Sequence, residues 1–362
     1  MRVLIAPDSF GDTLSAVAAA AAIGRGWSAA RPDDEVRVAP QSDGGPGFVD
    51  VLASRFGQRR TTAVAGPLGA EVTATWLYDD RGEGPVAYIE CAQACGLHLL
   101  GGRPTARTAL AADTTGVGEL VLAARDAGAG RIVVGLGGSA TTDGGRGMID
   151  ALGGPAEAVR ALAGVQLVAA SDVENPLLGP LGAAQVFGPQ KGADASTVDQ
   201  LEVRMTHWAR ALADVAGHEI AERAGAGAAG GLGAALLALG GERVSGATVV
   251  ADATDRAGDI AAADLVITGE GRFDSQTLRG KVVAALAGAA TTAGLPTMVF
   301  AGQVALSDDE IAAAGIAGAY AIVDVAGSIE VAMSDAEHQL TRLAEQVAAT
   351  WGHGDGNGVR SA

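Results

Sequence analysis

Asp264-Leu-Val-Ile-Thr-Gly-Glu-Gly-Arg-Phe-Asp-Ser-Gln-Thr-Leu-Arg-Gly-Lys281 opens as a short apolar strand, then breaks into glycines, carboxylates, a hydroxyl and a lysine. Buried parallel strands read as short apolar runs, and open α/β sheets bind ligands beyond the carboxyl ends of those strands. Glu270, Asp274, Ser275 and Lys281 therefore mark a candidate active-site edge. The same rhythm recurs at both ends of the chain. Residues 3–6, 36–39, 265–268, 298–301 and 319–323 read as short parallel strands, with alanine-rich helices over 15–30, 281–293 and 308–314 between them. This is the βαβ pattern of a doubly wound sheet.

Because those strands are split between the two ends, they predict one discontinuous domain over 1–62 and 263–362, with 63–262 inserted into it. The insertion has a different texture. Val64, the turn Gly66-Pro67-Leu68-Gly69 and the alternating run 72–78 form a hairpin signature, and 86–90 is placed to pair with it. Runs at 131–135 and 165–169 follow, so a mixed sheet is expected. The Gly-rich tail 352–362 is expected to fray.

Composition narrows the function. With 362 residues, 48% hydrophobic and 19% charged, the chain reads as packed and two-domained rather than disordered. Its net charge of −17 argues against nucleic acid or an anionic membrane as partner. A local cluster of cations and backbone N–H groups can still bind a small anion. No apolar run is long enough to span a membrane, and the first one reads as a strand rather than a signal peptide, so a cytoplasmic location is expected. Cys91 and Cys95 lack histidines at metal-ligand spacing and read as buried small residues. The five histidines lie outside the glycine-rich loops, which disfavours histidine-based hydrolysis or zinc chemistry.

Four further segments carry polar groups at strand ends. Asp8 and Ser9 follow the first strand, with Ser15 placed to cap the next helix. Asp43-Gly44-Gly45 follows the second; glycine there lets backbone approach a ligand closely, although a plain turn has the same composition. Gly135-Leu136-Gly137-Gly138-Ser139-Ala140-Thr141-Thr142-Asp143 offers N–H groups and hydroxyls to an anion without being a Walker loop. Asp172, Glu174 and Asn175, then Gln190 and Lys191, supply oxygen donors and a cation in a Gly/Pro-shaped turn. The run Gly225-Ala-Gly-Ala-Ala-Gly-Gly-Leu-Gly-Ala234 fits a nucleotide fingerprint or close packing equally well. Together these groups suit phosphoryl transfer, which needs phosphate positioning, Mg²⁺ on oxygen ligands and a carboxylate to take the acceptor proton.

The segments APDSF, SDGGPGFVDVL, GLGGSATTDGG, SDVENPLLGPLGAAQVFGPQKGA, GAGAAGGLGAAL and DLVITGEGRFDSQTLRGK resemble, in order, those of the bacterial glycerate kinases of the first type, from residue 1 to about 325. The resemblance implies ATP-dependent, Mg²⁺-assisted phosphorylation of D-glycerate to 2-phosphoglycerate. It also implies a flavodoxin-like parallel-sheet domain carrying an inserted mixed-sheet α/β domain, with the active site in the cleft between them and a monomer or homodimer as the assembly. Carried over by motif, Asp43, Lys191, Asp274 and Lys281 are the expected catalytic residues. Asp8, Ser9, Gly138, Ser139, Thr141, Asp143, Asn175, Gln190 and Ser275 are expected to bind substrate or nucleotide, and Asp172 and Glu270 to hold the metal. Asp43 or Asp274 would orient the glycerate hydroxyl, and Lys191 or Lys281 would meet phosphate.

The chain departs from the family pattern in places. Gly11-Asp12 stands where Lys-Gly is usual, Pro46 replaces a Glu, Thr142 replaces an Asn, and the stretch between Met148 and Ser171 is short. Loss of a lysine partner for the substrate carboxylate would cost roughly 1.5–3 kcal/mol, and Arg103, Arg107 or Arg146 are the candidates to compensate. Two alternatives follow: a kinase for another small hydroxy acid or polyol, or a sugar-acid-binding regulatory protein that kept the site and lost turnover.

Overall fold

Among the described residues eleven segments form strands. They are β1 (Arg2–Ile5), β2 (Glu35–Val38), β3 (Gln58–Ala65), β4 (Glu71–Asp79), β5 (Val86–Glu90) and β6 (Arg131–Gly135). Then follow β7 (Gln166–Ala170), β8 (Glu242–Val244), β9 (Leu265–Phe273), β10 (Thr297–Val304) and β11 (Gly318–Ala321). The computed structural model describes residues 1–279 and 282–351. Lys281 and the tail 352–362 lie outside the described residues.

The strands form two sheets in two compact units, Met1–Ser42 with Val250–Ala362, and Asp43–Val249. The dividing points fall earlier than the 62/63 and 262/263 read from the sequence. At the first point the physical reason is β3, which pairs antiparallel with β4 over its whole length and so belongs to the second sheet.

In the first unit the order is β11-β10-β9-β1-β2, and every neighbouring pair is parallel. Counted within the unit this is the flavodoxin-like order 2-1-3-4-5, whose switch point lies between β1 and β9. Val3, Ile5, Leu265, Ile267, Met298 and Phe300 pack against Trp27 and Leu340 from the helices Ala16–Ala30 and Ala336–Thr350. Each such side chain contributes about 1.5–3 kcal/mol when fully buried. Ser15 caps the first of these helices as its sequence suggests, accepting from the Ala18 N–H at 3.2 Å.

Two element boundaries correct the sequence reading. The strand read as 265–268 runs on to Phe273, so Gly269, Glu270 and Gly271 lie within β9. Glycine is admitted there because a Cβ on Gly269 would stand 2.1 Å from the Phe300 carbonyl oxygen and 3.1 Å from the Phe10 ring. The run 319–323 stops as a strand at Ala321, and Ile322–Ala326 is a helix.

In the second unit the order is β3-β4-β5-β6-β7-β8. β3, β4 and β5 are antiparallel neighbours, and β5 to β8 are parallel. This is the mixed sheet expected of the insertion. Ile89, Ile132 and Val134 join Leu120, Met148 and Leu232 in its core. Cys91 and Cys95 are free and buried in the same cluster. Among the described residues no helix is long and apolar enough to cross a membrane.

Candidate active site

The carboxyl ends of β5 to β8 bring together most of the polar residues singled out in the second unit. The Asp43-Gly44-Gly45 loop lies against them. The Gly137 N–H donates to the Gly44 carbonyl at 3.1 Å. A Cβ on Gly246, just past β8, would stand 1.9 Å from the Asp43 carbonyl oxygen. Backbone is therefore pressed against backbone, and the Asp43 peptide has no room to drift. Its carboxylate is exposed and accepts the local Gly45 N–H at 3.0 Å. Asp172 extends β7 toward it. Burial pushes the Asp172 carboxyl above its ordinary range, and the like charge of Asp43 adds to this, while Ser245, Gly246 and Ala247 oppose by hydrogen bonding. A like charge nearby disfavours the ionised form of a carboxylate.

Beside them runs the glycine-hydroxyl loop after β6. Lys191 is 2% exposed and lies beneath it. Its Nζ donates to Ser139 Oγ at 3.0 Å and to the Thr141 carbonyl at 2.6 Å. The ammonium expected to meet phosphate thus faces inward, while its neighbour Gln190 is exposed. The hydroxyls of Thr141 and Thr142 are buried and, among the described residues, have no partner. Such orphans are uncommon away from functional or hydrated sites.

Asp143 is fully engaged. It accepts from the Thr114 N–H at 3.0 Å, the Thr114 hydroxyl at 2.8 Å, the Gly145 N–H at 3.0 Å and the Gly147 N–H at 2.9 Å. Burial pushes its carboxyl up and these donors pull it back. Asn175 likewise ties its loop, donating from Nδ2 to the Leu181 carbonyl at 2.8 Å. Both side chains are thus hydrogen-bonded to the backbone around them.

The glycine run 225–234 resolves in favour of close packing. The Gly144 N–H donates to the Gly230 carbonyl at 3.0 Å. A Cβ on Gly230, whose φ is +65°, would stand 1.9 Å from the Thr141 carbonyl oxygen. Ala229 beside it also has positive φ, at 50°. This turn braces the back of the hydroxyl loop.

In the first unit, the Asp8 N–H donates to the Gly269 carbonyl at 2.8 Å, which sets Asp8 and Ser9 beside β9 at the switch point. The Ser9 N–H donates to Asp8 Oδ1 at 2.6 Å. Glu270 is 9% exposed and opposite Ala301 of β10. Asp274 follows the strand, accepting from the Gln276 N–H at 2.9 Å and from Arg272 Nε at 3.2 Å. The Gln276 N–H, ahead of the Arg272 charge, holds its carboxyl below the usual range. Ser275 is exposed next to it.

Glu90 is a residue the sequence reading missed. It ends β5, is 2% exposed, and accepts from the Gly47 N–H at 3.0 Å and the Val49 N–H at 3.4 Å. It thereby anchors the far end of the Asp43 loop to the sheet. Its only sequence signal was an acid closing the apolar run 86–90. Burial pushes Glu90 up to about 7, against the pull of the two N–H groups. The folded chain therefore holds this proton more tightly than the unfolded one. The resulting stabilisation is full below the unfolded value of about 4.5 and is lost as pH rises to about 7, a change on the order of 3 kcal/mol. Glu90→Gln is expected to be more stable than the parent at about pH 8 and close to it at about pH 4.5. Urea midpoints at the two pH values check this, and an equal difference at both would refute it.

The sequence pattern of the glycerate kinase family matches residues 3–158 and 155–352. The chain belongs to the glycerate kinase family. It is 41% identical over 376 residues to the glycerate kinase of Bacillus subtilis, covering 97% of both chains. It is 36% identical to the glycerate 2-kinase of Escherichia coli, over 97% of this chain and 98% of that one. An uncharacterised protein of Mycobacterium tuberculosis is 57% identical over 99% of this chain and 94% of its own length. A crystal structure from Salmonella typhimurium LT2, of a chain assigned as glycerate kinase 2, superposes with a TM-score of 0.77 at 35% identity, covering 97% of this chain and 98% of that one. Both sheets described above thus belong to the glycerate kinase fold, and the chain belongs with phosphotransferases that use an alcohol acceptor.

Against that family pattern the departures have visible settings. Gly11 takes a φ of +57°, a left-handed turn position that suits glycine. Pro46 packs on the hydroxyl loop, its Cγ 2.6 Å from where a Cβ of Gly138 would stand. Arg146 pairs with Asp150 at 3.4 Å and covers the Trp208 ring at 5.5 Å from its centroid. Arg103 and Arg107 are exposed.

Proposed function

We propose that this protein transfers the terminal phosphoryl group of ATP to the 2-hydroxyl of D-glycerate, giving 2-phosphoglycerate and ADP, in the cytoplasm. The observation that carries the reading is the exposed Asp43 carboxylate, set on an immobilised backbone beside Asp172 and the Gly138–Ser139 turn in a chain of this family. Asp43 takes the acceptor's proton as the hydroxyl oxygen bonds to phosphorus and the bond to ADP breaks. A carboxylate in this role needs reach and orientation more than covalent participation.

Among the described residues no three carboxylate, histidine or cysteine side chains converge as a ready metal cage. Mg²⁺ nevertheless fits the oxygen donors present, because it is commonly held by one or two carboxylates plus substrate phosphates. Asp172, with Asp43 near it, would hold the ion in the second unit, and Glu270 is the counterpart in the first. When bound, the ion would neutralise charge on the transferring phosphates. Asp8, Ser9, Asp274 and Ser275 present oxygens at the carboxyl end of the parallel sheet, where nucleotide phosphates are bound in this class of fold.

Coupled ADP release with ATP, Mg²⁺ and D-glycerate tests the reading, and phosphorus NMR of the product assigns the carbon. Turnover giving 3-phosphoglycerate would overturn the regiochemistry, and silence with D-glycerate would overturn the acceptor. The second reading, another small hydroxy acid, is favoured by one observation: no cation occupies the Gly11-Asp12 position. A panel of hydroxy acids in the same assay decides between them.

A further inference from the structure

Lys191 is a cation built into the interior of an acidic chain. Two of its three ammonium protons go to Ser139 Oγ and the Thr141 carbonyl. Among the described residues no carboxylate forms an ion pair with it. The titratable groups facing it are the thiols of Cys91 and Cys95, from the turn and helix after β5, and the Asp143 carboxyl. The Cys91 thiol stays protonated, since the Cys95 hydrogen bond and burial both push it up. Asp143 already serves four donors of its own loop.

A buried ammonium without a paired carboxylate is unfavourable unless something else brings negative charge. The layer above this one is the Gly138–Ser139 turn. Because Ser139 Oγ accepts from Lys191, its own hydroxyl proton is left to be donated elsewhere.

We propose that Lys191 is a positioning residue: from beneath the hydroxyl loop it fixes Ser139 and Thr141, and its charge lets the Gly138–Ser139 turn hold an anionic group of the substrate, carboxylate or phosphoryl. The inference rests on the kinase reading for the identity of the ligands. Binding of the anion and protonation of Lys191 are then coupled. Burial brings Lys191 down to about 8, so the loop's positive charge is present at neutral pH and fades above it. An anion favours the charged form and raises its pKa, so affinity falls as pH rises through about 8.

Calorimetric titration of the intact protein with D-glycerate, and separately with MgADP, tests the coupling. Glycerate keeps one fixed negative charge over this range. Its affinity is expected to weaken up to about 30-fold between about pH 7 and about pH 9.5. Lys191→Met is expected to bind weakly with no slope, and Lys191→Arg to bind with no slope because guanidinium does not titrate there. Ser139→Ala is expected to bind more weakly and keep the slope, and it stands in if the lysine variants do not fold. A slope for MgADP alone would support the proposal with phosphoryl as the anion. Flat affinity for both ligands in the parent protein would overturn it. Failure of glycerate to bind at either pH overturns the acceptor reading and leaves the ADP arm to decide the coupling. Binding of neither overturns both.

Discussion

Asp43→Asn is expected to lower kcat by about 10²–10⁴-fold, the usual contribution of a positioned general base, while leaving the unfolding transition almost unmoved. The asparagine keeps the volume and an oxygen able to accept the Gly45 N–H, so the turn survives. The backbone remains gripped by Gly137 and Gly246. What disappears is the negative charge and the proton-accepting capacity. KM for glycerate should change little by comparison, because the lost interaction strengthens in the transition state. Removing the charge also relieves Asp172 of its like-charged neighbour, so the Asp172 carboxyl should shift down. Steady-state kinetics and a thermal melt suffice to check this. Turnover near the parent's would pass the role of base to Asp274.

Gly230→Ala is expected to be the most damaging single change in the second unit, costing about 3 kcal/mol or more and abolishing turnover. Two penalties act together. The position has φ of +65°, and the added carbon would sit 1.9 Å from the Thr141 carbonyl oxygen. That same oxygen accepts from Lys191, so displacing it breaks the 2.6 Å bond as well. Chemical denaturation measures the loss. A variant within about 0.5 kcal/mol of the parent, the usual range for harmless surface changes, would show that the loop is free to yield. Ala229→Gly, by contrast, removes a left-handed φ of 50° from a residue with a Cβ, and should be tolerated.

Much of the architecture was legible because strand–helix alternation survives an interruption. The runs at both chain ends predicted one sheet, and the flavodoxin-like order appears with β9 beside β1. The hairpin at 66–69 was equally plain from its turn residues. The extension of β9 was hidden, because Gly269 and Gly271 read as breakers until the Phe10 and Phe300 contacts are known.

The site divides along similar lines. Residue types after the strand runs singled out Asp43, Ser139, Thr141 and Asp172 as candidates. Side-chain direction was not legible: Lys191 finds its partners 52 and 50 residues away, and nothing nearby in the chain indicates that it turns inward. Glu90 escaped for the same reason, since its Gly47 donor is 43 residues distant. The four donors that converge on Asp143, from Thr114, Gly145 and Gly147, were likewise hidden.

The interrupted first unit has a consequence for synthesis. Arg2 and Asp264, which bond where β1 meets β9, are 262 residues apart. At ~5–20 residues per second, the opening strand leaves the ribosome on the order of 10–50 s before its central partner exists. Asp43–Val249 is made in that interval, its last residues just ahead of β9. The nascent Val3–Ile5 segment can pair with β2 early, but its other edge stays open until β9 is made.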